Sequence, residues 1–288
     1  MTILAMPPQR VPDASASPRA VAPQARPRHY LMCRPDHFDV RYAINPWMDP
    51  SAPVDRARAL AQWDDIRLAF TALGHRVDVL PAEPDLPDMV FAANGAIVRR
   101  GRALGSRFAY PQRAPEAAAH ARWLRAAGLD PVPAQHVLEG EGDLLVVGER
   151  VLAGSGFRTD ARAHAQAGEV LGVEVVPLEL VDPRYYHLDT CLAVLGDDAI
   201  ALYPPAFSAA SRRLLQALYP DAIEVDVHDA AVLGLNAVSD GKNVLLSAEA
   251  ERLAEQLAAA GYRPVPLEVS ELRKAGGGVK CCTLELHR

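Results

Sequence analysis

The sequence predicts an α/β fold in which five β-β-α-β units pack side by side in a ring. Three observations predict it. Five stretches carry apolar residues at helical spacing, and each ends at a glycine or proline: VDRARALAQWDDIRLAFTALG, PEAAAHARWLRAAG, DARAHAQAGEVLG, SAASRRLLQALYP and SAEAERLAEQLAAAG. A short run of strand character follows each one, namely HRVDVL, LDPVPA, VEVVPLEL, AIEVDV and YRPVPLEV. Before most helices, two β-like runs are joined by a turn: MVFAANGAIV with RALGSRFAY, DLLVVG with RVLAGSG, HLDTCLAVL with AIALYPP, and LNAVS with NVLLSA. A unit of this kind cannot bury its own helix, so copies spaced by about 40 to 55 residues must stack on one another. Closing the ring pairs HYLMCRP with KCCTLEL and removes an exposed edge. A doubly wound parallel sheet is the runner-up. It predicts single strands between helices, and GSGF at 154–157 lacks the spacing of a dinucleotide fingerprint.

Bulk properties narrow the function. The chain has 288 residues, half of them hydrophobic, enough for a large core. A net charge of -6 with scattered Lys and Arg argues against a nucleic-acid partner. No apolar stretch reaches the roughly 18 to 20 residues needed to cross a bilayer, so no membrane partner is expected. The cysteines are Cys33, Cys191, Cys281 and Cys282, two of them adjacent, a poor layout for disulfides and one that suits a reducing cytoplasm. Residues 1–28, rich in Pro, Ala and Arg, read as a disordered tail, with a targeting role as the alternative; residues 29–288 read as one catalytic domain. The sequence leaves open both a monomer and a homo-oligomer.

Four clusters carry chemistry. Cys281 follows Gly276, Gly277 and Gly278, whose permissive backbone can expose a thiol, with Lys280 as a local positive charge; the plainer alternative is a buried structural thiol. Cys282 on the opposite face, Cys33 and Cys191 read as structural. In YYHLDTCLAVL, strand alternation puts His187, Asp189 and Cys191 on one face, so a carboxylate sits beside an imidazole that can act as acid and base. A metal site made of the same three side chains is the alternative, without a recognisable fourth ligand. LEGEGDLLVV gathers Glu139, Glu141 and Asp143 in a glycine-rich turn, which reads as a cation-holding turn or a solvated one. In LPDMVFAANGAIV, Asp88 and Asn94 flank a buried strand and present an anion and an amide, or else simply form a turn.

Together these segments resemble the guanidino-group-modifying (pentein) superfamily, which holds arginine deiminase, dimethylarginine dimethylaminohydrolase, the amidinotransferases and the bacterial arginine dihydrolases. The likeness runs from about Tyr30 to the C-terminus through LMCRPDHFDVRYAINPWM, PDMVFAANGA, LEGEGDLL, GSGFRTDARAH, RYYHLDTCLAV, YPPAFSAASRRLL and AGGGVKCCTLEL, in the family order. It implies a fivefold pseudo-symmetric α/β propeller of ββαβ units. It also implies Cys281 as nucleophile, His187 as acid and base, and Asp189 and Glu139 as catalytic carboxylates. EGEGD has one residue more than the family's E-x-x-D turn, so Glu141 stays open as the acid. Asp88, Asn94 and Asn45 join the substrate-binding set, with Arg158 and Arg113 as clamps for an α-carboxylate.

The implied reaction is cofactor-free hydrolysis of arginine or an Nω-methylated arginine through a covalent thiouronium. Where deiminases and dimethylargininases keep two adjacent acids, this chain has Ala93 and Asn94, an asparagine shared with the dihydrolases. An amide can also donate to a ureido oxygen, so onward hydrolysis of citrulline to ornithine, ammonia and carbon dioxide is expected. The rivals are a dimethylargininase stopping at citrulline, an amidinotransferase passing the amidino group to an amine, and a catalytically silent binding or scaffold protein.

Overall fold

A computed structural model describes residues 22–287, so most of the expected tail, 1–21, lies outside the described residues. Residues 22–28 run without regular structure along the body, where the Arg26 amide donates to the Asp240 carbonyl at 2.9 Å.

The chain begins with β1 (His29–Cys33), α1 (Arg56–Ala72) and β2 (Arg76–Leu80), followed by β3 (Ala96–Arg99), β4 (Arg102–Gly105) and α2 (Glu116–Ala126). A helical turn α3 (Gly140–Asp143) leads into β5 (Leu144–Val147), β6 (Arg150–Ser155), α4 (Ala163–Leu171) and β7 (Glu174–Glu179). Next come β8 (Leu192–Val194), β9 (Ile200–Leu202), α5 (Ala209–Leu218) and β10 (Ile223–Glu224). Then follow α6 (Val227–Ala230), β11 (Val238–Ser239), β12 (Asn243–Ser247), α7 (Glu251–Ala259), β13 (Arg263–Leu267), α8 (Ser270–Arg273) and β14 (Leu284–His287).

The strand pairing repeats. An antiparallel pair is followed by a helix and a parallel third strand in β5-β6-β7, β8-β9-β10 and β11-β12-β13. The pattern recurs where β14 lies antiparallel to β1 and β1 parallel to β2, with Tyr30 opposite Glu285 and Leu31 opposite Leu284. The expected pairing of these two segments is therefore present. In the remaining unit, β3 and β4 pair, but LDPVPA shrinks to a single parallel bridge from Val132 to Leu104. Pro131 and Pro133 flank Val132 and lack the amide hydrogens a longer ladder needs. The prolines of β7 and β13 are tolerated because both strands lie at sheet edges.

The described strands form four separate mixed sheets, β2-β1-β14-β3-β4 and three of three strands, not one closed sheet. The longer helices α1, α2, α4, α5 and α7 are each buried along one side. In α1, capped by the Asp55 side chain on the Arg58 amide, Trp63, Ile66 and Phe70 pack in the cluster that holds Tyr30 and Met32.

Two predicted strands are corrected. MVFAANG folds as two 3-10 turns, Pro87–Val90 and Ala92–Gly95, and only Ala96 onward is strand. The Phe91 amide turns back to the Asp88 carbonyl, and the Ala93 amide leaves the local ladder to bond the Cys281 carbonyl at 3.0 Å. HLDTC likewise forms a 3-10 turn over Leu188–Thr190, so alternation does not set the directions of His187, Asp189 and Cys191.

Candidate active site

Cys281 lies in the turn just before β14, on a backbone that passes through Gly276 at φ 87°, a left-handed value that glycine adopts without steric cost. The Tyr186 hydroxyl donates to the Gly276 carbonyl at 2.8 Å, and Asn45 reaches the same turn, donating Nδ2 to the Ala275 carbonyl at 3.0 Å. The thiol is 2% exposed. Its sulfur donates to Asp189 Oδ2 at 3.2 Å. Burial pushes the thiol pKa well above its ordinary value, and the Asp189 charge raises it further. The local positive charge expected from Lys280 goes elsewhere, because its Nζ pairs with Glu141 at 2.6 Å.

His187 does not bond Asp189. Its Nε2 meets Glu139 Oε2 at 2.8 Å, and its Nδ1 is buried without a partner among the described residues. If the Nε2 hydrogen points at the carboxylate, Nδ1 is the nitrogen left to exchange protons. Glu139 also takes Arg158 Nη1 at 3.0 Å and the Ala109 amide at 2.9 Å. Burial raises its pKa, but His187, Arg158 and Arg113 outweigh that and hold the carboxyl well below the usual range. Glu141 faces away from this group, toward Lys280, the Glu285 amide and a cavity of about 200 Å³ that Arg28, Tyr30 and His287 also line. Of the two glutamates, then, Glu139 is the one beside His187.

Asp143 ties the cluster to the backbone by accepting from the Leu188 and Thr159 amides at 3.0 and 3.2 Å. Gly142 admits a close approach, since a Cβ there would stand 2.3 Å from Asn94 Nδ2 and 3.2 Å from His187 Nδ1. The alternative metal trio is not assembled: Cys191 is core, with its sulfur directed at the His187 and Leu188 carbonyls. Cys33 and Cys282 are core as well.

The side chains expected to bind substrate are buried and linked to the same cluster through Glu139 and Asn94. Asp88 Oδ2 accepts from the Tyr42 hydroxyl at 2.7 Å, and Oδ1 is buried without a partner. Arg158 lies between the rings of Tyr110 and Tyr186, 4.6 and 4.7 Å from their centroids, and also donates to the Ile44 carbonyl. Arg113, expected as a second clamp, is mostly engaged. Its Nε and Nη2 hold Glu116 at 2.9 and 2.8 Å, Nη2 also reaches the Asp88 carbonyl, and Nη1 holds Asn94 Oδ1 at 2.8 Å. One of its five N–H groups remains, against three on Arg158.

Sequence reasoning passed over Asn236, whose Nδ2 lies 3.0 Å from the Cys281 sulfur. The available signal was a buried amide inside the otherwise apolar run LNAVS.

The family described as N,N dimethylarginine dimethylhydrolase, eukaryotic, matches residues 34–288. The chain belongs to this family. The N(G),N(G)-dimethylarginine dimethylaminohydrolase of Mycobacterium tuberculosis is 57% identical over 262 residues, 91% of this chain and 87% of the relative. The bifunctional arginine dihydrolase/ornithine cyclodeaminase ArgZ of Synechocystis is 36% identical over 263 residues, 89% of this chain but 37% of ArgZ. The N-terminal domain of ArgZ bound to substrate, an arginine dihydrolase from cyanobacteria, matches with a TM-score of 0.87 at 34% identity, covering 91% of this chain and 98% of that one. A dimethylarginine dimethylaminohydrolase adduct at 23% identity and TM-score 0.74 shares the fold. These likenesses identify the α/β fold of the dimethylarginine dimethylhydrolase family and place the chain among hydrolases of C–N amidine bonds.

Proposed function

We propose that this chain hydrolyses a C–N bond in the guanidinium group of arginine or an Nω-methylated arginine, through a covalent intermediate on Cys281 and with no cofactor. One observation carries this reading: Asp88 Oδ1 and Asp189 Oδ1 are buried acceptors and His187 Nδ1 a buried ring nitrogen, all without partners among the described residues, and the Asp189 carboxylate bonds the Cys281 thiol. A guanidinium offers five N–H donors and no acceptor, which is the complement of such a lining.

The steps follow from the geometry. The arriving cation offsets the Asp189 charge that holds the proton on Cys281, and the thiol gives up that proton to solvent while His187 takes one up from solvent at Nδ1. The thiolate forms an S–C bond to the guanidinium carbon. A C–N bond breaks as protonated His187 gives its proton to the departing amine, and Glu139 balances the imidazolium charge. Water then attacks the thiouronium carbon, passing one proton to His187 and the other to the departing sulfur. The S–C bond breaks, Cys281 returns to its thiol form, and citrulline leaves. Arg158, with three N–H groups to spare, grips the α-carboxylate; Arg113 contributes its single one and otherwise orients Asn94. Asn45 braces the nucleophile turn from the substrate side.

The Arg113 bond to Oδ1 of Asn94 turns Nδ2 toward Gly142 and the Glu139 carbonyl, 3.5 Å away, which leaves one of its two hydrogens to offer. That direction supports a donor for the ureido oxygen of citrulline and hence onward hydrolysis to ornithine, ammonia and carbon dioxide. Incubation with arginine is expected to yield ornithine with citrulline as a transient; citrulline accumulating alone would sink the second step and leave the first. The 57% identity to a named dimethylaminohydrolase favours a second reading, release of dimethylamine from dimethylarginine, which a parallel incubation with dimethylarginine scores by the amine released. An amidinotransferase would need an acceptor amine for any product at all.

Asp189 sets an expected pH profile. Burial raises its pKa from the ordinary 3.8 to about 6, with the His187 and Lys280 charges pulling it back. Its anion is the form that holds the substrate, so kcat/KM is expected to climb between about pH 5 and 7, and Asp189→Asn to flatten that limb. The folded state binds this proton more tightly than the unfolded chain does. The associated stability is therefore complete below about pH 4 and lost as the pH rises through 6, which melting curves across that window would read.

The five-unit pairing pattern and the β1–β14 contact support a propeller of ββαβ blades in one catalytic domain over 29–288. Four free, buried cysteines suit a cytoplasmic setting.

A further inference from the structure

Asn236 lies in the turn between α6 and β11, with no solvent exposure. Its Oδ1 accepts from the backbone amides of Gly278 at 2.9 Å and Cys281 at 3.0 Å. Two backbone donors converging on one atom require an oxygen there, so the orientation of the carboxamide is fixed. Nδ2 is thereby aimed at the Cys281 sulfur and the Asp189 carbonyl, both at 3.0 Å. The Lys280 amide adds a bond to the Asn236 carbonyl at 3.1 Å. One side chain thus holds both ends of the 278–281 turn and points a donor at its sulfur. Among the described residues it is the one side-chain donor within hydrogen-bond distance of that atom other than the thiol itself.

We infer that Asn236 is a further catalytic group of this site, whose Nδ2–H stabilises the Cys281 thiolate while Oδ1 fixes the turn that presents it. The inference rests on the reading of Cys281 as nucleophile. A neutral S–H gains little from an N–H donor, whereas a thiolate gains a charge-assisted bond. The contact therefore favours the attacking form over the resting one, which is the differential that lowers a barrier. It acts twice, when the sulfur attacks and again when it leaves the second tetrahedral species. A neutral amide suits this place: a lysine would keep the thiolate permanently charged, and an acid would oppose it.

The test uses the full chain with Asn236→Asp, which keeps an acceptor for both amides but removes the donor, and Asn236→Ser, which shortens the side chain. For each, kcat and KM on arginine are measured together with the rate of inactivation by 2-chloroacetamidine against pH, normalised to the folded fraction from circular dichroism. Expected are a fall in kcat of about a hundredfold with KM changed little, and an inactivation limb displaced upward by about one pH unit. Wild-type kcat and an unmoved limb in either folded variant would overturn the inference. So would losses that vanish on normalisation, because a purely structural role predicts them. Cys281→Ser separates the two levels: if it keeps turnover, the nucleophile reading fails, and if it is dead while both Asn236 variants are fully active, only Asn236 falls.

Discussion

Cys281→Ser is expected to lower turnover of every guanidino substrate by at least about 10⁴-fold while leaving the melting temperature nearly unchanged. The sulfur touches Asp189 and Asn236, and a serine oxygen fits the same space with the same two partners. What it cannot do is ionise: an alkoxide in this buried, acid-lined turn is far less accessible than a thiolate. Substrate binding should survive, since the acceptors on Asp88 and Asp189 and the Arg158 guanidinium are untouched. Isothermal titration with arginine would therefore report binding without product. Turnover within tenfold of the wild type would remove the covalent mechanism altogether.

His187→Ala is expected to cost about 10³-fold, because both halves of the proposed reaction use its proton. An amine cannot leave as an amide ion, so the first half stalls with arginine. An S-alkyl isothiourea analogue of arginine expels a thiolate that needs no proton, and with it the first half should recover while the hydrolytic half stays slow. The expected result is an adduct on Cys281 visible by intact mass spectrometry in the variant and absent from the wild type. Normal turnover of arginine, or no adduct with the analogue, would move the acid and base role away from His187. Glu139 enters the same experiment, since its Oε2 lies 2.8 Å from the imidazole and loses a buried partner when the ring is removed.

Much of the fold was legible because each unit announces itself twice, by a helix of period 3.6 and by a hairpin of period two. The β1–β14 pair was legible for a different reason, as the answer to an exposed edge. Where reading failed, the cause was local. MVFAANG and HLDTC are short apolar runs, and periodicity cannot tell such a run from a 3-10 turn whose amides bond elsewhere. His187 and Asp189 were paired by strand alternation, yet each finds its partner across the fold, in Glu139 and Cys281. The difference between Glu139 and Glu141 turns on which way the backbone entering α3 points two side chains two positions apart, and spacing does not encode that. Asn236 was passed over because every hydrogen-bond partner of its side chain lies 42 to 47 residues away in sequence.

The grip of β1 on β14 bears on how activity is gained and lost. Arg28 reaches Glu285 across 257 positions, and Cys281 is mounted on the turn that this strand anchors. The thiol thus acquires its neighbours only after nearly the whole chain has been brought into register, a high-contact-order event. Turnover therefore works as a gauge of global integrity: a weakened β1 would silence a chemically intact site, and a half-folded chain would hold the thiol apart from the imidazole and carboxylates that put it to use.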